Sequence, residues 1–212
     1  MNAEYIKALD EYFCSHYTNY IRLSAIEGYR MPDMIEILED GNISRRDATY
    51  MRLCHQAECE VLLQRFKDSL TDAYFTFSFN FPGWRERWYE LFHRHTFSKF
   101  LPQALRHCGE TVQSAGSRLD VAPKYWNGMV KGKLEPQKTT IFALALTCRM
   151  QWEDVATLLL VSGFEFDSAE VLDVVVRYII EQKIFNEQMR DACLSEYHIR
   201  NLPILRDVAQ NT

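Results

Sequence analysis

Apolar side chains recur at steps of three and four residues along most of this 212-residue chain, a pattern that predicts a mainly helical protein. The first such segment predicts a helix from Ala3 to about Tyr29. The sequence Met31-Pro32 then ends it, because the residue before a proline is disfavoured in the helical conformation.

Two further helices are predicted before residue 71. A short one contains Met34, Ile35 and Leu38 and ends at Gly41, and a long one runs from a Ser44 cap to about Leu70. The apolar face of the long helix drifts and is interrupted by charged residues, so part of it is expected to face a partner chain.

The stretch from Tyr74 to Phe81 alternates phenylalanine with small polar residues, which predicts an extended segment. No other run alternates as cleanly, so the segment is expected either to pack across helices or to pair with its copy in a dimer. Pro82-Gly83 predicts a turn and Trp84 to His95 a helix. This aromatic region is interpreted as a core and an interdomain joint in preference to a ligand pocket.

Two short helices joined by a tight turn are predicted between Thr111 and Gly132. Thr111 is placed to cap the first, and Asp120 lies in the turn. Trp126 and Met129, three residues apart, define the buried face of the second, and Gly132 follows it where positive φ is favoured. This arrangement is a helix-turn-helix.

From Thr111 to Met150 the chain resembles the lambda-repressor-like helix-turn-helix domains of the xenobiotic-response-element (Xre) type. The resemblance extends more loosely over Phe97 to Phe166. It rests on an ordered set of residues: Thr111, Leu119-Asp120-Val121, Trp126, Met129, Lys131-Gly132-Lys133, Pro136 and Thr140 to Ala145.

This resemblance implies a lambda-repressor-like bundle in which the second helix of the motif lies in the DNA major groove. By position, the base-reading candidates are Pro123, Lys124, Asn127 and Gly128, and the phosphate-binding candidates are Thr111, Tyr125, Lys131 and Lys133. Lys124 is suited to guanine and Asn127 to adenine.

Three positions depart from the family pattern. Val112 stands where a glutamine is common, Pro123 has no side-chain donor, and Gly128 has no side chain with which to read a base. A single reading helix is therefore expected to bind weakly, which favours a dimer. It also favours an alternative function, in which a degenerate helix-turn-helix serves as a scaffold for protein binding, with the N-terminal aromatic region as the partner surface.

After the motif, helices are predicted over Thr139–Met150, Trp152–Ser162, from Asp167 or Ser168 to Gln182, and over Asn186–Glu196. The predicted fold is all-α, with one short extended aromatic segment. Three regions are expected: a helical N-terminal region for oligomerisation or sensing (1–95), a helix-turn-helix domain (96–166) and a C-terminal helical extension (167–212).

Charge supports the DNA-binding interpretation. The chain carries −5 overall, yet eight basic and three acidic residues between Phe97 and Met150 give that region +5. The alternative is that this basic region docks on an acidic surface of the same protein. The expected function is a regulator that binds double-stranded DNA as a homodimer through the helix Ala122–Lys131.

Other functional classes receive little support from the sequence. No phosphate-binding loop, nucleophile elbow or zinc-protease motif is found, so neither an enzyme nor a cofactor is predicted. Six scattered cysteines are interpreted as buried reduced thiols, and the spacing of Cys54, His55, Cys59, His93 and His95 fits no usual zinc site. With no leader-like N-terminus and no long apolar run, a cytoplasmic location without membrane association is expected.

Overall fold

A computed structural model describes residues 4–31, 36–37, 43–44, 48–75, 79–80, 96–119 and 121–200. The described residues confirm the all-α prediction. Their ten α-helices are α1 (Glu4–His16), α2 (Tyr20–Ser24), α3 (Cys59–Asp68), α4 (Phe97–His107), α5 (Val112–Arg118), α6 (Pro123–Val130), α7 (Lys138–Cys148), α8 (Trp152–Val161), α9 (Val171–Glu181) and α10 (Glu187–Glu196).

Six two-residue strands complete the described elements. They are β1 (Glu36–Ile37), β2 (Ile43–Ser44), β3 (Ala73–Tyr74), β4 (Phe79–Asn80), β5 (Glu135–Pro136) and β6 (Ile199–Arg200). Strand β1 pairs antiparallel with β2, β3 parallel with β6, and β4 antiparallel with β5. Two of these pairs, β3 with β6 and β4 with β5, join segments that are far apart in the sequence.

Helix α7 is the centre of the helix-turn-helix region. Every residue from Thr140 to Leu146 is buried, as expected for a helix that is apolar on all sides. Helices α5, α8 and α9 pack around it, and α4 packs on α8. Helix α4, to which the sequence analysis assigned no element, buries Phe97, Leu101 and Leu105 along one face. Helix α5 thus packs on a buried and mostly apolar helix, and α6 packs on α4 and α5.

The two ends of the described chain share one core. Helix α1 packs on α9 and α10, and the Tyr178 hydroxyl donates to the Tyr5 carbonyl at 3.1 Å. The Phe13 ring lies 4.6 Å from Tyr17, 5.4 Å from Phe66 and 4.5 Å from Tyr197, measured between ring centroids. Buried apolar residues form a continuous cluster through all three predicted regions. The boundaries proposed between those regions stay a prediction.

The prediction of a single helix from Ala3 to Tyr29 is wrong, because the helix is interrupted between α1 and α2. The Thr18 backbone N–H donates to the Ser168 carbonyl at 3.0 Å, and the Thr18 and Ser168 hydroxyls lie 2.6 Å apart. Asn19 then caps α2 by accepting the Arg22 backbone N–H at 3.1 Å. A contact with a residue 150 positions away therefore interrupts a segment whose own periodicity is helical.

The next two predicted helices are contradicted in part by the described residues. Glu36 and Ile37 are extended and paired with β2, whereas Met34, Ile35 and Leu38 lie outside the described residues. Of the long helix from Ser44 to Leu70, the described residues, which omit 45–47, are α-helical only in α3. It follows 3-10 turns at Ala48–Met51 and Leu53–His55. Gln56 explains the interruption, since its side chain exchanges two 3.0 Å hydrogen bonds with the Arg30 backbone.

The extended segment around Tyr74 has partners that the sequence did not reveal. Its first part pairs with β6 near the described C-terminal end, and its later part pairs with β5 beside the helix-turn-helix. Phe75, between them, is 2% exposed. The predicted turn at Pro82-Gly83 and helix Trp84–His95 lie outside the described residues.

The C-terminal helices are confirmed with small shifts of their ends. Helix α9 begins at Val171, because Asp167 forms a turn in which its Oδ1 accepts the Ala169 backbone N–H at 2.8 Å. Helix α10 begins at Glu187, one residue later than predicted, because Asn186 is its cap. Within the described ranges, no helix has the length and apolar character needed to span a bilayer, and the 13 residues of α1 fall well short of about 20.

Candidate nucleic-acid interface

The first helix of the motif begins at a capping box. The Thr111 hydroxyl accepts the Ser114 backbone N–H at 3.0 Å, and the Ser114 hydroxyl accepts the Thr111 backbone N–H at 2.8 Å. The predicted cap is therefore confirmed. Because the Thr111 hydroxyl is already hydrogen-bonded within the protein, its assigned contact with a DNA phosphate would compete with the cap.

A carboxylate that the sequence analysis did not single out lies beside this cap. Glu110 accepts a hydrogen bond from the Ser114 hydroxyl at 2.5 Å, and it forms an ion pair with Arg118 at 2.8 Å. The Glu110 side chain is 14% exposed. Negative charge near a helix N-terminus stabilises the helix. Here it also places a carboxylate where a phosphate was expected. The sequence signal for this ion pair was that Glu110 directly precedes the cap residue Thr111 and that Arg118 follows Glu110 by eight positions.

Gly116 lets α5 and α6 approach each other closely. A Cβ atom at this position would lie 2.6 Å from Nε1 and 2.8 Å from Cδ1 of Trp126. Trp126 and Met129, predicted as the buried face of α6, are indeed buried. The indole ring thus fills the space that a side chain at position 116 would occupy, and the angle between the two helices depends on that contact.

Gly128 is covered by the chain that follows α6. A Cβ atom at Gly128 would lie 2.7 Å from Cδ1 of Leu134. The Gly128 carbonyl accepts the backbone N–H groups of Lys133 at 2.7 Å and Leu134 at 3.2 Å. Gly132, in the turn that leads from α6 to Lys133, has a φ of +66°. Gly128 therefore serves close packing within the protein, a role that its assignment as a base-reading position did not include. Leu134, which imposes this packing, was missed.

The outward face of α6 carries the remaining candidates. Pro123, Lys124, Tyr125 and Asn127 are exposed, as is Lys131 at the helix end. Lys124, Asn127 and Lys131 follow each other at steps of three and four, so they form one stripe, which we call the α6 stripe. The Lys124 ammonium lies 4.7 Å from the centroid of the Tyr125 ring.

The turn after α6 adds basic residues beside this stripe. A Cβ atom at Gly132 would lie 3.2 Å from the Ser98 hydroxyl, so the turn packs against the first turn of α4. Exposed Lys131 and Lys133 flank Gly132, and exposed Lys99 follows Ser98. The fold therefore brings Lys99 close to two candidates more than thirty residues away. Spacing along the chain could not have revealed Lys99 as a member of the site.

Some of the positive charge counted in the sequence is neutralised within the protein. Arg118 pairs with Glu110, and Lys138 pairs with Asp173, whose side chain is 2% exposed. Burial is the main reason that the pKa of Asp173 is raised above its ordinary value, and the contact with Lys138 opposes this shift. Part of the basic excess between Phe97 and Met150 thus binds acidic side chains of the same molecule.

The sequence raised two other candidates, a zinc site and an aromatic surface for a protein partner. Among the described residues, no group of three or more histidine, cysteine, aspartate or glutamate side chains could hold a metal ion. Three cysteines are buried as predicted, but Cys54 is exposed, and Cys59 and Cys108 are partly exposed. Most of the aromatic region proposed for a protein partner, including Trp84 and Trp88, lies outside the described residues, and Phe75 is buried.

No family model, curated protein or solved structure matches this chain.

Proposed function

We propose that this protein is a transcriptional regulator that binds duplex DNA as a homodimer through the α6 stripe. The observation that carries the proposal is the division of α6 into two faces. Trp126 and Met129 fix the inner face against α5 and the core, whereas Lys124, Asn127 and Lys131 project from the outer face. A rigid helix that presents cationic and amide side chains in one row is suited to a major groove.

Base reading falls to Lys124 and Asn127, since Pro123 lacks a side-chain donor and Leu134 covers Gly128. Lys99, Lys131 and Lys133 supply phosphate contacts at one edge of the stripe. Two specific side chains give limited discrimination, about 1–3 kcal/mol each if bidentate. A second copy doubles the contacts, which is the reason for proposing a dimer.

Binding of the purified protein to random-sequence duplex DNA tests this proposal, measured by fluorescence anisotropy from about 50 to 200 mM salt. We expect affinity to fall steeply with salt, and Lys131→Ala to reduce the slope of log K against log salt by about 0.9. Lys7→Ala removes an exposed lysine from α1 and is the matched control, with unchanged binding expected.

Asn127→Ala separates base reading from phosphate binding. On a site enriched by selection, it is expected to cost about 1–3 kcal/mol, and on random DNA close to nothing. A roughly palindromic enriched site supports the dimer. Absence of salt-dependent binding by the wild-type protein at about 50 mM salt overturns the proposal.

A specific observation favours the second candidate, a scaffold for protein binding. Glu110 places negative charge at the α5 cap, and Leu134 covers Gly128, so two expected DNA contacts are weakened. In this case the α6 stripe faces an acidic protein surface. If DNA binding fails, co-purification of a partner that is lost with Lys124→Ala and retained with Lys7→Ala supports the scaffold.

A further inference from the structure

Two cysteine thiols from distant parts of the chain lie next to each other where α1 packs against α3. Cys14 lies near the end of α1 and is 4% exposed, whereas Cys59 is the first residue of α3 and is partly exposed. Their Sγ atoms are 3.4 Å apart, within hydrogen-bond reach of each other. A disulfide bond is about 2.05 Å long, so the sulfurs need to approach by only about 1.4 Å.

The surroundings give the two thiols different reactivity. The hydrogen-bond contact with the Cys14 thiol lowers the pKa of Cys59, while partial burial and the nearby Glu60 and Asp10 carboxylates oppose that shift. The position of Cys59 at the N-terminus of a ten-residue helix also favours a thiolate. The contact with Cys59, followed by burial, raises the pKa of Cys14. These directions favour Cys59 as the nucleophile and Cys14 as its protonated neighbour.

We propose that Cys59 and Cys14 form a peroxide-reactive dithiol that closes to a disulfide between α1 and α3. The Cys59 thiolate attacks one oxygen of a hydroperoxide, the O–O bond breaks, and the leaving oxygen departs as water or alcohol after protonation. Cys59 becomes a sulfenic acid. Cys14 sulfur then attacks the Cys59 sulfur, the S–O bond breaks, and the hydroxyl leaves as water with the Cys14 proton. Two thiols are oxidised by two electrons, and the peroxide is reduced.

The exposure of the two residues suits this order of events. Cys59 reaches the surface and can meet a small oxidant, whereas Cys14 is shielded from solvent and its sulfur lies 3.4 Å from that of Cys59. The product ties α1, which packs on the C-terminal helices, to α3. It closes a loop spanning 45 positions, which restricts the unfolded chain and is expected to raise the melting temperature.

Cys54 provides an internal control. It lies on the neighbouring 3-10 turn and is the most exposed of the six thiols, so a reaction governed by exposure alone would modify it first. The Cys54→Ser variant retains the proposed pair. Cys14→Ser removes only the shielded partner, and Cys59→Ser removes the nucleophile at a partly exposed position, where folding is less at risk than at buried Cys14.

The experiment treats the reduced full-length protein with hydrogen peroxide, alkylates the remaining thiols and maps disulfides by mass spectrometry. A peptide linking Cys14 to Cys59 is expected in the wild type and in Cys54→Ser, together with a melting temperature that rises and returns with dithiothreitol. In Cys14→Ser, dimedone is expected to label Cys59. A dominant link between Cys54 and Cys59, or faster oxidation of Cys54 than of Cys59, overturns the proposal. Should Cys14→Ser fail to fold, the wild type and Cys54→Ser still decide it.

Discussion

The helix-turn-helix region and the N-terminal region are both helical, but they are stabilised over different distances along the chain. In the helix-turn-helix region, the decisive contacts join residues that are close in the sequence. Thr111 caps α5 through Ser114, and the Trp126 ring packs against Gly116. In the second, Lys67 of α3 binds Asp10 of α1 and Glu196 of α10. A sequence pattern reports contacts within a few turns, so it describes the first region far better than the second.

The largest expected effect follows from removing the charge that joins the N-terminal region to α10. Lys67 is 4% exposed, and its ammonium lies 2.7 Å from Asp10 Oδ1 and 2.6 Å from Glu196 Oε1. Lys67→Ala leaves both carboxylates without this partner, so we expect a loss of about 3 kcal/mol in the free energy of unfolding. Urea denaturation measures it.

Exposed Lys7 on α1 is the control for that substitution. Lys7→Ala is expected to change the free energy of unfolding by less than about 0.5 kcal/mol. If Lys67→Ala were equally mild, the N-terminal region would be stabilised by its apolar core alone, and the contrast between the regions would disappear.

The next effect tests the short-range contacts of the helix-turn-helix. Gly116→Ala gains about 1 kcal/mol of helix propensity, but its Cβ meets three Trp126 ring atoms at 2.6–2.9 Å. Because the ring cannot move without displacing α6, we expect a net destabilisation of about 2 kcal/mol in thermal or urea unfolding. A more stable variant would show that the α5–α6 contact is adjustable.

Gly128→Ala is the matched comparison within the same motif. Its Cβ meets Cδ1 and Cγ of Leu134, an aliphatic side chain that can change rotamer. We expect a smaller loss, about 1 kcal/mol. Equal losses at the two glycines would indicate that Leu134 is as firmly held as Trp126.

These contacts show why one part of the fold was predictable. The Thr111 cap, the Trp126 and Met129 face and the positive φ at Gly132 are local properties, and all three were expected from the sequence. The candidate site was predicted only in part. Lys99 joins it through a tertiary contact and Glu110 through local contacts with Ser114 and Arg118, whereas Gly128 leaves it because Leu134 covers it.

The N-terminal errors have the opposite origin. The break between α1 and α2 depends on Ser168, and the interruption before α3 depends on Arg30. Neither residue lies within a few turns of the segment that it interrupts. The hydrophobic periodicity of each segment therefore predicted one continuous helix. Strand β3 likewise pairs with β6, more than 120 residues away.

Two asparagine caps allow the local and long-range contributions to be compared directly. Asn186 accepts the Met189 backbone N–H at 3.2 Å, a local cap. Asn19 accepts the Arg22 backbone N–H at 3.1 Å and also donates to the Ala169 carbonyl at 3.3 Å. We expect Asn186→Ala to cost about 1 kcal/mol and Asn19→Ala about 1.5 kcal/mol in urea denaturation. The reverse order would mean that the contact with Ala169 adds nothing.

The smallest expected effect is a pH dependence at the junction between α7 and α9. Burial raises the pKa of Asp173, which faces Lys138 of α7 and the Asp167 carboxylate. Between the ordinary and the raised pKa, the folded state holds a proton that the unfolded state has lost, so stability falls as pH increases. The Asp173 contribution is therefore complete below about pH 3.8 and is lost as pH passes through the raised pKa.

Asp173→Asn isolates this contribution, because the amide oxygen can still accept the Asp167 backbone N–H, now 2.8 Å from Asp173 Oδ2. The free energy of unfolding of the wild type minus that of the variant is expected to decrease with pH in this interval and then become constant. A single group changes stability by at most about 1.4 kcal/mol per pH unit, and with Lys138 opposing the shift we expect less than about 1. A difference that increased with pH would mean that the ion pair with Lys138 outweighs burial, and that this junction is stabilised by charge in the same way as Lys67 stabilises the N-terminal region.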